Sequence, residues 1–588
     1  MRIAVAAEGL AEGPAGGLIC PLGDDGAPHT PPERVDDLAA AMAELERAER
    51  PRWVWSASAR VYPALLRAGV RLASCHDVEL TEAVLLGYEG KFGDDASLEA
   101  AWARAGASGP PGSGGATNDT AASGASTRGV SAVSRRPGAP GMPRAAVPAG
   151  RAQTELFGVP GREFAGARDE LDAVIAVHAG QLRRMGKAEH PRRLSLLAAA
   201  ESAGGLAAAE MTADGVPWRR DVHDDLLTEV LGPRPMAGMR PRRLAGLAER
   251  IRAALENTAL NPDSPAQLIK AFAAQGIALT STRAHALRAV DHPAVPLLLE
   301  YKELARLYTA DGWEWLDTWV TDGRFRPEYV VGGVVSGRWA SRGGGALQIP
   351  KLLRRAVVAD PGWVLVVADA AQLEPRVLAA LAGDRVFAQA AAAGDLYSAL
   401  AGALGGDRDK AKVALLSAMY GGAGGEAGQL LAVLRRRFPV AARFVDEAAR
   451  AGEEGRLVRS CLGRTCPPPS AQWRELTGDG ADPRAGQALR SRGRFTRNFV
   501  VQASAADWAL VLLASVRRRL ASTGGNDRAH LVFFQHDEIV VHSPAALADE
   551  VVRVVSDAAE EAGRLVFGPG PVRFPLTVSV VNCYADAA

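Results

Sequence analysis

Runs of apolar and β-branched residues mark several segments of the chain as buried β-strands. The most continuous run is WVLVVAD at 363–369, which follows a Pro-Gly turn. Residues 529–543 (AHLVFFQHDEIVVHS) hold two such runs on either side of a tight polar turn at Gln535–Glu538. RWVWSA at 52–57 and PLTVSVVN at 575–582 have the same character. The pattern therefore predicts an N-terminal strand and a group of strands in the C-terminal part.

Apolar positions at helical spacing dominate the remaining segments. Helices are predicted at 61–70, 78–90 and 168–185, and over most of 190–320. Asn261–Ser264 predicts the cap of a helix that begins near Pro265, because Ser accepts hydrogen bonds from free N–H groups and Pro fits the first turn. Residues 294–320 predict either one long helix or two helices in series.

The composition limits the class of protein. The 588 residues correspond to three to five domains or subdomains at roughly 100–200 residues each. Lys and Arg number 68 and Asp and Glu number 67, so the formal charge of +1 argues against a histone-like basic protein and an acidic disordered chain. Residues 104–150 are mostly Gly, Ala, Ser, Pro and Thr and cannot bury enough apolar surface to fold, so we expect a disordered insert there.

The chain shows no sign of export or membrane insertion. Its five cysteines are few and scattered, which fits a reducing compartment and gives neither a zinc quartet nor a disulfide framework. The start, MRIAVAAEGLAEG, lacks the features of a signal peptide. No stretch approaches about 18 consecutive apolar residues, so we expect no transmembrane helix and no membrane partner. These features favour a cytoplasmic location.

Acidic residues occur at the ends of the predicted C-terminal strands. Asp369 ends the run WVLVVAD, where a carboxylate is well placed to bind a metal ion. Asp is also a favoured N-cap, so Asp369 could instead begin the next helix. His536, Asp537 and Glu538 lie in the tight turn, where Asp also favours local hydrogen bonding. Two adjacent carboxylates repel each other by roughly 1–4 kcal/mol at about 4 Å, and a divalent cation would remove that repulsion.

The two acidic positions are most informative together. If both strands belong to one sheet, Asp369 and Asp537 converge from distant parts of the sequence. Two carboxylates that bridge two Mg²⁺ ions about 3.5–4 Å apart form a site for in-line phosphoryl transfer. One ion lowers the pKa of an attacking hydroxyl, and the other stabilises the leaving pyrophosphate.

A third motif lies on a predicted helix. Arg408, Lys412, Leu416 and Tyr420 recur every four residues and share one slowly winding face. The two cations suit a triphosphate, and the apolar and aromatic residues suit a sugar and base. The alternative is a solvated basic face that runs into the core, which is the commoner meaning of an isolated R-x-x-x-K.

A fourth motif lies in the Arg-rich stretch at 484–507. Arg494, Asn498 and Gln502 fall on one polar helical face. Donors on such a face can reach the N3 and O2 acceptors that nearly every base pair shows in the minor groove, so they test pair shape without reading sequence. An exposed Arg-rich helix is the alternative.

Together these motifs resemble those of family A DNA polymerases, the bacterial DNA polymerase I type. DAAQLEPRVLAALA at 369–382 resembles motif A (D-Y-S-Q-I-E-L-R), RDKAKVALLSAMYGG at 408–422 resembles motif B, and QHDEIVVHS at 535–543 resembles motif C (V-H-D-E). SGRWAS at 336–341, NFVVQASAAD at 498–507 and NPDSPAQL at 261–268 resemble further elements of the family. The resemblance covers roughly residues 190–588.

The resemblance implies a template-directed DNA polymerase that uses deoxynucleoside triphosphates and Mg²⁺. By position, Asp369 and Asp537 would bind two Mg²⁺ ions, with Glu538 in support. Arg408 and Lys412 would hold the incoming triphosphate, with Lys412 also among the catalytic residues.

The same resemblance assigns residues to the sugar and to the DNA. Glu374 would exclude a ribose 2′-OH and would pair with Tyr420, while Leu416 would contact the nucleotide. Residues predicted to contact primer–template DNA are Arg338, Arg494, Asn498 and Gln502 in the minor groove and His536 at the primer terminus.

The chain departs from the family pattern at several positions. Ala370 stands where the family has Tyr, and Pro375 where it has Leu. Leu416 stands where the family has Phe or Tyr, and Ser417 follows it in place of Gly. The missing ring removes a surface against which a nucleotide packs, which bears on sugar discrimination and speed. The carboxylates and the Arg/Lys pair that the chemistry needs are present.

The N-terminal region, 1–103 with 151–188, more faintly resembles the family's RNase H-like 3′–5′ exonuclease domain. Proofreading needs about four carboxylates on two metal ions. No D-x-E occurs near the start, the position of a helical Asp falls on Tyr62, and Asp169 and Asp172 are too isolated to form a site. We therefore expect a structural remnant without proofreading.

The expected architecture is α+β: a right-hand polymerase domain at 189–588 preceded by the exonuclease-like domain. Within it we expect a thumb at about 225–320, fingers at about 384–480 and the palm in the rest. The protein is expected to be a monomer in the cytoplasm, associated with the nucleoid, and to act in repair or gap filling. Two alternatives stay open: a bifunctional 3′–5′ exonuclease/DNA polymerase, and a primer–template binding protein with weak synthesis.

Overall fold

A computed structural model describes residues 1–9, 16–107, 164–342, 349–392, 395–402, 406–420, 432, 435–478, 482–523 and 528–587. The strands are β1 (Arg2–Glu8), β2 (Gly16–Leu22), β3 (Glu33–Val35), β4 (Arg52–Trp55), β5 (Ser74–Asp77), β6 (Val216–Pro217), β7 (Val320–Thr321), β8 (Arg324–Phe325), β9 (Glu328–Val330), β10 (Ala340–Arg342), β11 (Trp363–Ala370), β12 (His530–Gln535), β13 (Glu538–Pro544) and β14 (Leu576–Val581).

The α-helices are α1 (Leu38–Ala48), α2 (Ser58–Arg67), α3 (Val78–Tyr88), α4 (Leu98–Ala107), α5 (Ala167–Gly186), α6 (Pro191–Asp214), α7 (Arg220–Leu231), α8 (Arg242–Ala254), α9 (Pro265–Ala274), α10 (Ala284–Arg288), α11 (Ala294–Asp311), α12 (Trp313–Trp319), α13 (Leu373–Ala382), α14 (Arg385–Ala392), α15 (Leu396–Ala401), α16 (Arg408–Tyr420), α17 (Pro439–Glu453), α18 (Ala471–Gly478), α19 (Ala485–Leu520) and α20 (Ala548–Phe567). Short 3₁₀ helices lie at Leu353–Ala356, Ala545–Leu547 and Tyr584–Asp586.

The N-terminal region is a five-stranded mixed sheet with the order β3-β2-β1-β4-β5. β1 pairs antiparallel with β2 and parallel with β4. Ile3 and Val5 pack into one apolar cluster, whereas Ala4 and Ala6 pack into another on the opposite face, as strand periodicity requires. This mixed sheet is compatible with the predicted RNase H-like domain.

The start predicted for the disordered insert, residue 104, is wrong. Helix α4 runs from Leu98 to Ala107 and so continues past position 104. Its apolar residues Leu98 and Ala101 are buried against the N-terminal sheet, which explains why the helix persists. The rest of the predicted insert, 108–150, lies outside the described residues.

Helices α7 to α12 enclose their own apolar core, within the segment predicted as the thumb. Ser264 caps α9 as predicted, because its hydroxyl accepts a hydrogen bond from the Gln267 N–H. The stretch 294–320 forms two helices, α11 and α12, with Gly312 between them. The domain boundaries themselves stay a prediction.

The C-terminal sheet has the order β12-β13-β11-β14, and every pairing in it is antiparallel. The strands predicted at 363–369, 529–543 and 575–582 are confirmed. Helices α19 and α20 cover one face of this sheet. In the described part of the chain, α19 alone is long and apolar enough to cross a membrane, and 89% of its apolar window is buried inside the protein.

Candidate active site

Two adjacent strands bring the predicted acidic pair together. In the antiparallel register of β11 and β13, Asp369 lies opposite Glu538, and the Ala370 N–H donates to the Asp537 carbonyl at 3.1 Å. The alternative role of Asp369 as an N-cap is wrong, because helix α13 begins at Leu373, after Gln372. The expected convergence of Asp369 and Asp537 is confirmed.

Burial and nearby negative charge raise the pKa of both carboxylates. Burial raises the pKa of Asp369 to about 7, and the charges of Asp537 and Glu538 add to the shift. Burial also raises the pKa of Asp537, against the opposing effect of the Arg338 guanidinium. A site in which neighbouring carboxylates disfavour each other's ionisation is one that a bound cation would stabilise.

The carboxylate of Glu538 has a partner that the sequence analysis missed. The Tyr584 hydroxyl donates a hydrogen bond to the Glu538 carboxylate. The Arg354 guanidinium lies 4.4 Å from the centroid of the Tyr584 ring, which orients the phenol. Glu538 therefore adds negative charge near Asp369 but is not among the described residues that line the cleft.

A cleft of ≈ 270 Å³ lies in front of the acidic pair. It is lined by Arg338, Asp369, Ala370, Gln372, Leu373, Glu374, Pro375, Tyr397, Lys412, Leu416, Ala505, Ala506, His536 and Asp537. Seven of the predicted site residues thus meet in one cavity, together with Gln372 and Tyr397, which the sequence analysis did not single out.

Helix α16 contributes only part of its predicted face to the cleft. Lys412 and Leu416, one turn apart, line it. Arg408, one turn earlier, is not among the described lining residues, and its Nε donates to Asp395 at 2.6 Å. Tyr420 ends the helix, and its side chain lies outside the described part of the structure.

Arg338 and Glu374 form an ion pair in the wall of the cleft. Its Nη2 lies 2.6 Å from Glu374 Oε1, and the two side chains are 28% and 13% exposed. The predicted partner of Glu374, Tyr420, has its side chain outside the described residues, so that pairing stays a prediction. The Arg338 guanidinium, predicted to contact DNA, therefore belongs to the cleft wall in this structure.

A buried ionic cluster supports the segment that carries Arg338. Arg464 lies 2.6 Å from Glu201 and 3.0 Å from Asp507, and the Ser460 hydroxyl also donates to Asp507 at 2.6 Å. Gly337 has φ +85°, and a Cβ there would lie 2.2 Å from Arg464 Nε, so only glycine fits. This cluster connects the segment SGRWAS to the end of NFVVQASAAD. The pattern of apolar residues along the sequence did not predict this connection.

The polar face of α19 forms as predicted. Arg494 is exposed, and Asn498 and Gln502 are half-buried on successive turns. The described cleft lining includes Ala505 and Ala506 of this helix but none of those three. Their role in DNA binding stays a prediction.

Tyr62, at the position expected for a proofreading carboxylate, is buried at the junction with the C-terminal region. Its hydroxyl donates to Glu210 at 2.5 Å and accepts from the Leu72 N–H at 3.1 Å. Glu210 in turn accepts two hydrogen bonds from Arg517, at 2.8 and 2.7 Å. Burial and the nearby Glu210 charge raise the pKa of Tyr62, so the phenol stays neutral.

Two other acidic residues of the N-terminal region, Asp77 and Asp172, have structural partners. Asp77 is buried, which raises its pKa to about 6, and it caps α3 by accepting the Leu80 N–H. Asp172 is exposed and pairs with Arg168 at 3.2 Å. Among the described residues, no group of three or more His, Cys, Asp or Glu side chains could hold a metal ion.

Comparison with known proteins agrees with the geometry. The family model for DNA polymerase family A matches residues 239–583. A thermostable DNA polymerase I of Thermus filiformis is 27% identical over 324 residues, which are 49% of this chain and 36% of that protein. The DNA polymerase I of Chloroflexus aurantiacus is 28% identical over 269 residues, which are 41% of this chain and 27% of that protein.

The fold also matches a solved structure. This is "POL domain of Pol1 from M. smegmatis complex with DNA primer-template and dNTP", with a TM-score of 0.68 at 19% sequence identity. The match covers 100% of this chain and 95% of that one. The chain spans only about a third of the length of the curated relatives it matches. The family model nevertheless covers more than half of this chain, including β11 and β13, which carry the acidic pair. The chain therefore belongs to DNA polymerase family A.

Proposed function

We propose that this protein is a template-directed DNA polymerase that adds deoxynucleotides to a primer 3′-OH by two-metal phosphoryl transfer. The observation that carries the proposal is the meeting of Asp369, Asp537 and Lys412 in one cleft. Family membership supports it, as do relatives named DNA polymerase I and a similar fold solved with DNA primer-template and dNTP.

The acidic pair fits divalent cations. Mg²⁺ is bound by one or two carboxylates together with substrate phosphates, so a pair is sufficient where a larger protein cage is absent. Burial, together with the negative charges of Asp537 and Glu538, raises the pKa of Asp369, and bound cations would oppose that shift by favouring the ionised carboxylate. Asp369 and Asp537 would hold two Mg²⁺ ions, which when bound would lower the pKa of the primer hydroxyl and neutralise charge on the leaving pyrophosphate.

The remaining residues of the cleft bind and orient the substrates. Lys412 supplies a positive charge for the triphosphate, and Leu416 supplies an apolar surface one turn further along α16. Glu374, held by Arg338, limits the space available to a sugar 2′-OH. His536 lies beside Asp537 in the turn, where a primer end would meet the carboxylates. Catalysis in this scheme is positioning and charge neutralisation.

We further propose that the enzyme has no proofreading activity and acts as a cytoplasmic, nucleoid-associated monomer in repair or gap filling. The absence of proofreading is supported by Tyr62, whose phenol is bound to Glu210 at the place expected for a metal-binding carboxylate. The bifunctional alternative requires an acidic cluster in the N-terminal sheet. The alternative of a binding protein with weak synthesis is motivated by Ala370 and Leu416.

Primer extension tests the proposal. Wild type should extend a labelled primer on a template with Mg²⁺ and deoxynucleotides, and Asp369→Asn should not. Asp172→Asn, which removes an exposed carboxylate from α5, should extend as wild type does. Failure of wild type to extend, or extension by Asp369→Asn at the wild-type rate, contradicts the proposal. Degradation of single-stranded DNA without nucleotides would favour the bifunctional alternative.

A further inference from the structure

Arg408 and Lys412 occupy successive turns of α16, yet only Lys412 is among the described residues that line the cleft. We propose that Asp395 holds Arg408 in a resting position away from the cleft and competes with the nucleotide triphosphate for its guanidinium. Asp395 is then a positioning residue that sets how tightly the nucleotide binds. This inference rests on the proposed polymerase function and concerns regulation of the same site.

The contact between the two side chains is short and charge-assisted. Arg408 Nε donates to Asp395 Oδ2 at 2.6 Å. The Arg408 guanidinium also lies 5.5 Å from the centroid of the Tyr397 ring, a cation–π distance. Although burial acts to raise it, the pKa of Asp395 is held well below its usual value by hydrogen bonds from Arg408, Ser398 and Gln372.

Asp395 is anchored to the cleft wall. Its Oδ1 accepts the Tyr397 N–H at 3.0 Å and a hydrogen bond from Gln372 Nε2. Gln372 also binds the residue that follows Asp395, because its Oε1 accepts the Leu396 N–H at 2.8 Å. Gln372 itself follows Asp369 by three residues and has φ 57°, a left-handed conformation uncommon outside glycine.

Because Asp395 is anchored in this way, the bond from Arg408 to Asp395 competes with a bond from Arg408 to a triphosphate in the cleft. Asp395 lies before α15 and is tied to Gln372, so it does not belong to the helix that carries Arg408. If Arg408 turns toward phosphates in the cleft, its Nε leaves Asp395. A triphosphate must therefore replace the carboxylate, and a carboxylate left nearby repels the incoming negative charge.

The competition is weak enough to be overcome and strong enough to measure. The Arg408 and Asp395 side chains are 52% and 36% exposed. Ion pairs this exposed change an equilibrium by about 1.5- to fivefold at 25 °C. Removing the competitor should strengthen nucleotide binding by that factor.

Asp395→Asn is the informative variant, because Asn caps helices as well as Asp and keeps an oxygen for the Tyr397 N–H. In steady-state primer extension it should lower KM for the deoxynucleotide by about 1.5- to fivefold and change kcat less. The difference from wild type should shrink as salt is raised, because exposed charges are screened. Asp409→Asn is the matched control, since it removes a carboxylate beside Arg408 but leaves the 2.6 Å contact intact.

A double-mutant cycle isolates the contact. Binding of a fluorescent deoxynucleoside triphosphate should be unaffected by Asp395→Asn when Arg408 is already Ala. An unchanged or raised KM in Asp395→Asn, an equal effect in Asp409→Asn, or a persistent effect without Arg408 each overturns the inference. If wild type does not extend primers, the proposed function fails instead, and the binding titration still decides whether Asp395 competes for Arg408.

Discussion

Tyr62→Phe removes one oxygen atom from the junction between the N-terminal sheet and helix α19. The phenol is fully buried and makes two short contacts, to Glu210 at 2.5 Å and from the Leu72 N–H at 3.1 Å. If the N-terminal region is a structural remnant, this substitution should reduce stability and leave primer extension unchanged at moderate temperature.

The magnitude follows from the two shorter bonds that are lost, because the third contact, from Arg517 at 3.5 Å, is long. A hydrogen bond to a charged acceptor contributes about 1.5–3 kcal/mol, and a buried N–H left without a partner costs about 1–3 kcal/mol. Leu72 is 2% exposed, so water cannot readily replace the phenol. Glu210 keeps its two bonds to Arg517, which limits the damage. We expect the free energy of unfolding to fall by about 2–4 kcal/mol.

Urea unfolding measures the change as a lower midpoint at constant slope. Amide hydrogen exchange at Leu72 gives a local reading, because its N–H loses its acceptor. Tyr88→Phe is the control, since the Tyr88 hydroxyl accepts the exposed Glu189 N–H and its loss should cost far less. A Tyr62→Phe protein within about 0.5 kcal/mol of wild type, with unchanged exchange at Leu72, would refute the reasoning.

Three further predictions concern the cleft. Asp369→Ala should abolish primer extension without weakening DNA binding more than a few-fold; extension at the wild-type rate would remove Asp369 from the catalytic centre. The Mg²⁺ concentration needed for half-maximal extension should fall as pH rises through about 7, because Asp369 must lose its proton to bind a cation and its raised pKa lies there; a requirement that does not change with pH would contradict this. Leu416→Phe should change discrimination against dideoxynucleotides more than DNA affinity, and equal incorporation ratios before and after the change would count against a contact between residue 416 and the sugar.

The sequence was sufficient to predict the elements that depend on residues close together in the chain. The run at 363–369 and the paired runs at 529–543 became β11, β12 and β13, because β-branched residues in continuous runs suit buried strands. The cap at Ser264 was predictable because it depends on residues within one turn. The meeting of Asp369 and Asp537 followed once both strands were placed in one sheet.

The partners of the site residues were not predictable. Arg338 with Glu374, Arg408 with Asp395, and Glu538 with Tyr584 are set by tertiary packing over long separations in sequence. The N-cap alternative for Asp369 could be rejected only when the structure placed the start of α13 after Gln372. The first strand was also missed, because RIAVAAE is short and rich in alanine, which has little strand preference.

The 36-residue helix α19 has a consequence for shortened forms of the protein. Near its C-terminus Arg517 is buried, and it donates to Tyr62 at 3.5 Å, to the Ala73 carbonyl at 2.9 Å and to the Leu72 carbonyl. A shortened chain that began at residue 189 would keep every polymerase motif but would strip this guanidinium of those three acceptors. Arg517 would keep only its bonds to Glu210, so removing the N-terminal domain would uncover a buried charge and lower stability, whatever chemistry that domain carries.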